Sequence, residues 1–207
     1  MDTVTDRPTF FPMMVNLQGR KCLVVGAGKV AAAKIAGLLR HGAQVEVVSP
    51  RALSRVKDLA NDGVIVWHRR AFSPRDVKGA FLAVGATNSS ALNEAVFRAC
   101  AAQGVLCNSV DDPERCDFYY PAVVRRGPLQ IAISTGGCSP ALASRLRKEL
   151  EQQFGPEWSA WVKQVGNLRK ELLLKGGPPE ARKRRLQQMV SPQAFRAFLR
   201  ARSQGRT

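Results

Sequence analysis

The sequence predicts an α/β fold built on a doubly wound parallel sheet, followed by a small α+β module and a C-terminal helical region. Three observations predict it. Apolar strand-like runs alternate with helical patterns from Lys21 to Val110, the spacing of successive βαβ units. The first run, Cys22-Leu23-Val24-Val25, breaks at Gly26-Ala27-Gly28 and passes at once into an alanine-rich helical pattern. After Pro113 the alternation stops, and a hairpin pattern gives way to basic helical segments. The expected divisions are 1–113 for the Rossmann-like sheet, 114–155 for a hairpin-plus-helix dimerisation module, and 156–207 for the helical region.

Residues 1–9 read as a disordered lead-in. Phe10 to Val15 suggests a short strand, confined to a sheet edge because Pro12 cannot donate to a central ladder. The opening strand spans 21–25, and a helix from Val30 to His41 ends at Gly42, a residue suited to the position after a helix. Val45–Val48 forms the second strand, closed by Ser49-Pro50; a helix near 52–61 and a strand at 64–67 follow. Residues 80–84 supply a fourth strand. Asn88 or Ser89 caps a helix running to about Gln103, and 105–110 is the fifth strand. Right-handed crossovers then bring Gly26, Ser49, Thr87 and Asn108–Asp111 to one edge of the sheet, the edge at which such folds bind ligands.

Residues 119–124 and 129–134 read as hairpin strands joined by an Arg125-Arg126-Gly127-Pro128 turn. A second glycine loop, Thr135 to Pro140, opens a helix over 141–154 with Ser139 at the N-cap and Pro140 at the first helical position. Its stripe of Leu142, Leu146 and Leu150 lies opposite Arg145, Lys148 and Glu149. A hairpin and one amphipathic helix are too small to bury their own core, which suggests pairing with a second copy. Helices at 158–174, 180–190 and 192–202 complete the chain, with fraying expected at its last few residues.

The glycine turn is the primary ligand signal. Gly26 permits the turn, Gly28 lets phosphate oxygens approach the backbone, and the amides at Lys29 and Val30 open a helix whose N-terminus attracts an anion. Dinucleotide folds usually place an acidic residue at the end of the second strand to hold ribose hydroxyls. Here that place holds Ser49-Pro50-Arg51. Either Ser49 and nearby backbone hold an NAD ribose, or Arg51 reads the additional phosphate of NADP. Asn108-Ser109-Val110-Asp111-Asp112-Pro113 puts carboxylates at a strand C-terminus beside the expected nicotinamide position. One reading is a turn cap before Pro113, the other a general base. The loop from Ser134 to Ser139 also admits two readings, an anion site or a cap without a ligand.

The formal net charge is +16, and residues 151–207 carry 12 Lys/Arg against 4 Asp/Glu, so half of the excess lies in a short C-terminal part. Solvated helix faces, nucleic acid or a substrate bearing many carboxylates would each account for it. The Lys183-Arg184-Arg185 cluster lacks the interleaved aromatics of a nucleic-acid surface. Five cysteines with no C-x-x-C pair read as reduced thiols in a cytoplasmic protein. Peripheral His41 and His68 give no basis for a metal site. No apolar run is long enough to span a bilayer, and the N-terminus lacks a secretion-signal pattern.

Taken in order, FFPMMVNLQGRKCLVVGAGKVAAAK, VVSP, LAVGATN, CNSVDDP, FYYPAVVRRGPLQIAISTGGCSPALA and RLRKEL resemble the precorrin-2 dehydrogenase and sirohydrochlorin ferrochelatase family, the N-terminal type of sirohaem synthase, over about residues 10–155. The resemblance implies oxidation of precorrin-2 to sirohydrochlorin with NAD, ferrous iron insertion as a second activity of some members, and a homodimer whose paired modules help build the cleft. It implies Asp111 as the catalytic residue, with Asp112 at a variable position. Cofactor residues would be Gly26, Gly28, Lys29, Val30, Ser49, Pro50, Arg51, Thr87 and Asn108. The absence of an acid after the second strand fits the family and moves the balance towards NAD. Because precorrin-2 carries eight carboxylates, Arg125, Arg126, Arg145 and Arg147 are candidate contacts, together with Thr135 and Gly136 of the second glycine loop. No methyltransferase domain follows. The competing readings are an NAD(P)-sensing regulatory module and a nucleic-acid binder using the basic tail; neither accounts for CNSVDDP and STGGCSP together.

Overall fold

The computed structural model describes residues 10–110 and 112–204; the expected lead-in at 1–9, Asp111 and residues 205–207 lie outside the described residues. The chain divides after Tyr120 into two compact units.

In the first unit, five parallel strands, β1 (Lys21–Val25), β2 (Gln44–Val48), β3 (Val66–His68), β4 (Leu82–Gly85) and β5 (Leu106–Ser109), lie in the order β3-β2-β1-β4-β5. Three helices connect them: α1 (Lys29–Arg40), α2 (Ser54–Asn61) and α3 (Ser90–Ala101). Alternation along each strand sorts the apolar side chains onto two faces. On one, Cys22, Val24, Val45 and Val84 pack against Ala31, Ile35 and Leu38 of α1 and Val56 of α2. On the other, Leu23, Val25, Ala83 and Cys107 meet Val96, Ala99 and Cys100 of α3 and Val77. The sheet is thus covered on both sides, as a parallel sheet with crossover helices requires. The burial that builds this core pushes the Cys22 thiol up to about 11.

Three local expectations need correction. Phe10–Val15 joins no strand; the ring of Phe10 instead packs on Tyr119, centroids 4.1 Å apart, while Phe11, Met13 and Met14 stay exposed. β3 starts at Val66 because Val64 and Ile65 donate their amides to Leu59 O at the end of α2, not to a ladder. A 3-10 turn at Pro74–Val77, closed by a Ser73/Asp76 capping box, has no counterpart in the sequence reading. Residues 114–120 pack with the first unit: Asp117 N donates to Cys107 O and its carboxylate accepts from Cys107 N, both at 2.8 Å.

The second unit contains the antiparallel pair β6 (Ala122–Arg126) and β7 (Leu129–Ile133) and helices α4 (Pro140–Gln153), α5 (Glu157–Leu174), α6 (Pro179–Met189) and α7 (Pro192–Gln204). Arg126 pairs with Leu129, so Arg125 and Arg126 belong to the strand and only Gly127-Pro128 turn, with Gly127 at φ 56°. Ser139 caps α4 by accepting from Leu142 N at 3.2 Å. The helical region has its own aromatic centre, in which Trp158 and Phe195 stand 4.5 Å apart and Trp161 and Phe198 5.1 Å apart.

Candidate functional site

The strand order reverses between β1 and β4, and the turns leaving those strands bound a cleft of about 490 Å³. Its walls are Gly26-Ala27-Gly28 after β1, Ser49-Pro50-Arg51 after β2, and Ala86-Thr87-Asn88 after β4. A crevice outside the strand C-termini at such a switch point is where open α/β sheets hold ligands.

The two glycines have different physical reasons. Gly26 sits at φ 106°, and a Cβ there would stand 2.3 Å from Ala86 O; it is needed so that the β1 and β4 turns can approach. Gly28 has an ordinary φ of −81°, and a Cβ on it would meet nothing within 4 Å. Packing within the chain does not require glycine there, so the space above it is available to a bound group. Gly28 is the N-cap of α1, no side chain caps that helix, and its first turn has no acidic residue. Uncapped first-turn amides and the positive end of the helix dipole suit a pyrophosphate. The site therefore fits a dinucleotide.

The other sequence-predicted residues have distinct surroundings. Ser49 Oγ donates to Arg51 O at 2.7 Å and Ser49 O accepts from Trp67 Nε1 at 3.0 Å, which fixes the turn after β2 and leaves Arg51 exposed. Thr87 is fastened by Asn93, a buried polar residue of α3 that sequence reasoning missed. Asn93 Oδ1 accepts from Thr87 Oγ1 at 2.8 Å, and Asn93 Nδ2 donates to Thr87 O at 3.1 Å. Lys29 and Val30 do not line the cleft; their side chains border a separate depression along α1. Asn108 is buried and its amide donates to Phe118 O at 2.9 Å and towards Cys116 Sγ at 3.3 Å. Its visible role is to hold the segment returning from the 108–118 loop.

Asp111 lies outside the described residues, but both flanks of its loop are anchored. Ser109 is buried at the end of β5, and Asp112 forms an ion pair with Arg115, which also reaches Glu94 of α3. Cys116 Sγ lies 3.2 Å from both Ser109 O and Asp112 O, and burial pushes its thiol above the ordinary range.

In the second unit, Thr135 Oγ1 accepts from Ser139 N at 3.0 Å, and Gly136, at φ 59°, donates its amide to Ser134 Oγ at 3.1 Å. Arg145 pairs with Glu149 at 3.2 Å and Arg147 with Glu151 at 2.6 Å. Arg125 lies half-buried in β6. Arg126 corrects the expectation of a free turn arginine: its guanidinium donates to Phe154 O at 2.6 Å and Glu151 O at 2.9 Å, closing the C-terminal end of α4. Among the described residues no group of three His, Cys, Asp or Glu side chains could hold a metal ion, and no helix is long and apolar enough to cross a membrane.

A glycine turn with open space above its second glycine, at the switch point of a 3-2-1-4-5 parallel sheet, defines a dinucleotide-binding α/β protein. Residues 13–122 match the family described as "Putative NAD(P)-binding", and residues 126–153 match "Sirohaem biosynthesis protein central". The siroheme synthase of Nitrosococcus oceani is 42% identical over 142 residues, 69% of this chain and 30% of that protein. Siroheme synthase 1 of Yersinia enterocolitica is 46% identical, again over 69% of this chain and 30% of the relative. The chain thus spans about a third of the length of the curated relatives it matches. The solved structure of SirC, precorrin-2 dehydrogenase, superposes with a TM-score of 0.77 at 26% identity, covering 89% of this chain and 91% of SirC. The chain belongs to the NAD(P)-binding family of sirohaem biosynthesis, the sirohaem-synthase N-terminal type that its motifs resemble.

Proposed function

We propose that this protein oxidises precorrin-2 to sirohydrochlorin, using NAD in preference to NADP. One observation carries the reading: an NAD(P)-binding region at 13–122 is followed directly, on the same chain, by a sirohaem-biosynthesis central segment at 126–153. SirC, similar over 91% of its length, is a precorrin-2 dehydrogenase. Preference for NAD is supported by the turn after β2, where Ser49 closes onto Arg51 O and leaves room for ribose hydroxyls.

The dinucleotide would lie across the switch-point cleft, its pyrophosphate at Gly26, Gly28 and the amides of Lys29 and Val30. Its ribose would meet Ser49, Pro50 and Arg51, with Thr87 on the far wall. When bound, the nicotinamide supplies a two-electron acceptor for the hydride leaving the macrocycle. The oxidation also releases a proton, and Asp111 is the residue that accepts it. Asn108, Cys116 and the Asp112–Arg115 pair hold the loop on which Asp111 stands. Asp111 itself needs only to remain ionised and within reach of the substrate carbon bearing that proton. Arg125, Arg145, Thr135 and Gly136 would meet substrate carboxylates; Arg126 is already committed to the end of α4.

The protein acts as a cytoplasmic homodimer in this reading. Leu142 of α4, 39% exposed, offers an apolar contact for a second copy. Purified protein incubated with precorrin-2 and NAD should produce the sirohydrochlorin absorption spectrum, with a slower reaction under NADP. A folded, NAD-binding protein that leaves precorrin-2 unchanged overturns the assignment. Adding ferrous iron as a second substrate tests insertion, which would appear as the sirohaem spectrum.

A further inference from the structure

A second depression, of about 520 Å³, runs along α1 and is bordered by Lys29, Val30, Ala33, Lys34, Gly37 and Tyr120. Its first five residues lie on one helical stripe. The stripe begins immediately after Gly28 of the nucleotide cleft. At the other end it approaches the loop that bears Asp111: the Lys34 charge is near enough to lower the Cys116 thiol pKa against the larger upward push of burial. The depression therefore lies between the nucleotide turn and the 108–118 loop.

We propose that this depression seats one face and the carboxylate-bearing rim of the tetrapyrrole, with Lys29 and Lys34 taking carboxylates and Tyr120, Val30, Ala33 and Gly37 lying against the macrocycle. The inference rests on the tetrapyrrole reading of function. Charge selects this occupant. α1 contains no acidic residue, and among the described residues no carboxylate pairs with Lys29. The Lys34 ammonium stands 3.6 Å from the centre of the Tyr120 ring, so a cation and an aromatic surface are presented together. A flat apolar molecule edged with carboxylates complements both.

Shape supports the same occupant. Val30 is 46% exposed and Tyr120 40% exposed, so the apolar floor is open to solvent. Gly37 lies inside α1 with nothing within 4 Å of a Cβ placed on it, and its φ does not call for glycine. Glycine at such a position costs helix stability relative to alanine. Its use here keeps the floor low where a planar ligand would rest.

Uroporphyrin III, a stable octacarboxylate tetrapyrrole, is the probe, titrated by fluorescence into NAD-saturated protein. Gly37→Leu fills the floor with a good helix former, and Lys34→Gln removes one charge without shortening the helix. Each should weaken uroporphyrin binding about tenfold, and the Lys34→Gln defect should shrink as salt is raised. NAD affinity by calorimetry and the helical circular dichroism should be unchanged. Undiminished uroporphyrin affinity in Gly37→Leu overturns the inference. So does weakened binding that tracks dissociation of an oligomer in light scattering, which would make the depression an interface between copies. Wild-type turnover of precorrin-2 separates the two claims. Turnover with a variant-insensitive probe leaves the function standing without this subsite. Lys34-dependent probe binding without turnover leaves a polycarboxylate site on a protein that is not the dehydrogenase.

Discussion

A Cβ placed on Gly26 would lie 2.3 Å from the carbonyl oxygen of Ala86 and 2.9 Å from its carbonyl carbon. Two backbone turns meet there, and neither can retreat without breaking ladder bonds: Gly26 N donates to Val48 O at 2.9 Å and Ala86 N to Val25 O at 2.8 Å. Gly26→Ala should therefore lower unfolding stability by about 2–4 kcal/mol, from a side chain forced into left-handed backbone and from overpacking. Gly28→Ala should behave differently, because its Cβ meets no protein atom within 4 Å. Its stability should change by about 1 kcal/mol or less, while NAD(P) affinity falls. Urea unfolding and calorimetric titration of both variants check the contrast. Equal stability losses would mean that Gly28 also serves packing.

Asn93 makes a sharper case for a residue acting through another. It is buried, and its side chain both accepts from Thr87 Oγ1 and donates to Thr87 O, 2.8 and 3.1 Å away. Asn93→Leu would leave the loop after β4 without these partners in a buried setting. A loss of about 2–3 kcal/mol is expected from the unmatched polar groups. Thr87 lines the cleft, so KM for the dinucleotide should rise with little change in kcat. Asn93→Asp keeps the acceptor but loses the donor, and should recover part of the KM defect at most. A kcat loss with unchanged KM would contradict the positioning role.

Some of this organisation was legible before any coordinates. β-branched runs, glycine punctuation and helix caps placed all five parallel strands and the nucleotide turn, because those features depend on local backbone chemistry. Asn93 was not legible. One polar residue in an amphipathic helix reads as solvent-facing unless tertiary packing turns it inward, and only Gly85 and Thr87 across the sheet edge supply that packing. Arg126 failed for a related reason: RRGP resembles an exposed turn, whereas pairing of Arg126 with Leu129 extends the strand and aims the guanidinium at the end of α4. Phe10–Val15 had the composition of a strand but no ladder to join.

Asp76 makes part of the acid stability predictable. It accepts from Arg70 at 2.6 and 2.9 Å and from Ser73 N at 2.8 Å. The hydrogen bonds from Arg70, first, and then that from the Ser73 amide hold its carboxyl below the usual range against an opposing desolvation. A depressed folded pKa stabilises the fold fully above the unfolded carboxylate value of about 4. That contribution is lost as pH falls through the lower folded value. Urea midpoints of the wild type should thus decline more steeply between about pH 5 and pH 2 than those of Asp76→Asn, which starts lower at neutral pH. Parallel profiles would remove Asp76 from the acid response.

Asp111 carries the chemical prediction. The loop around it is tied by Asn108 to Phe118, by Cys116 to Ser109 and Asp112, and by Arg115 to Asp112 and Glu94. A carboxylate on an anchored loop at the mouth of a dinucleotide cleft suits proton acceptance during oxidation, a role worth about 10²–10⁴ in rate. Asp111→Asn should lower kcat for precorrin-2 oxidation by at least about 10², with NAD affinity and thermal midpoint nearly unchanged. Asp112→Asn removes the partner of Arg115 instead, and should lower the thermal midpoint with a smaller loss of kcat. The two adjacent aspartates are thereby distinguished by which observable moves. If Asp111→Asn turned over at the wild-type rate, the proton would have to leave to water or another group, and Asp111 would have no part in the reaction.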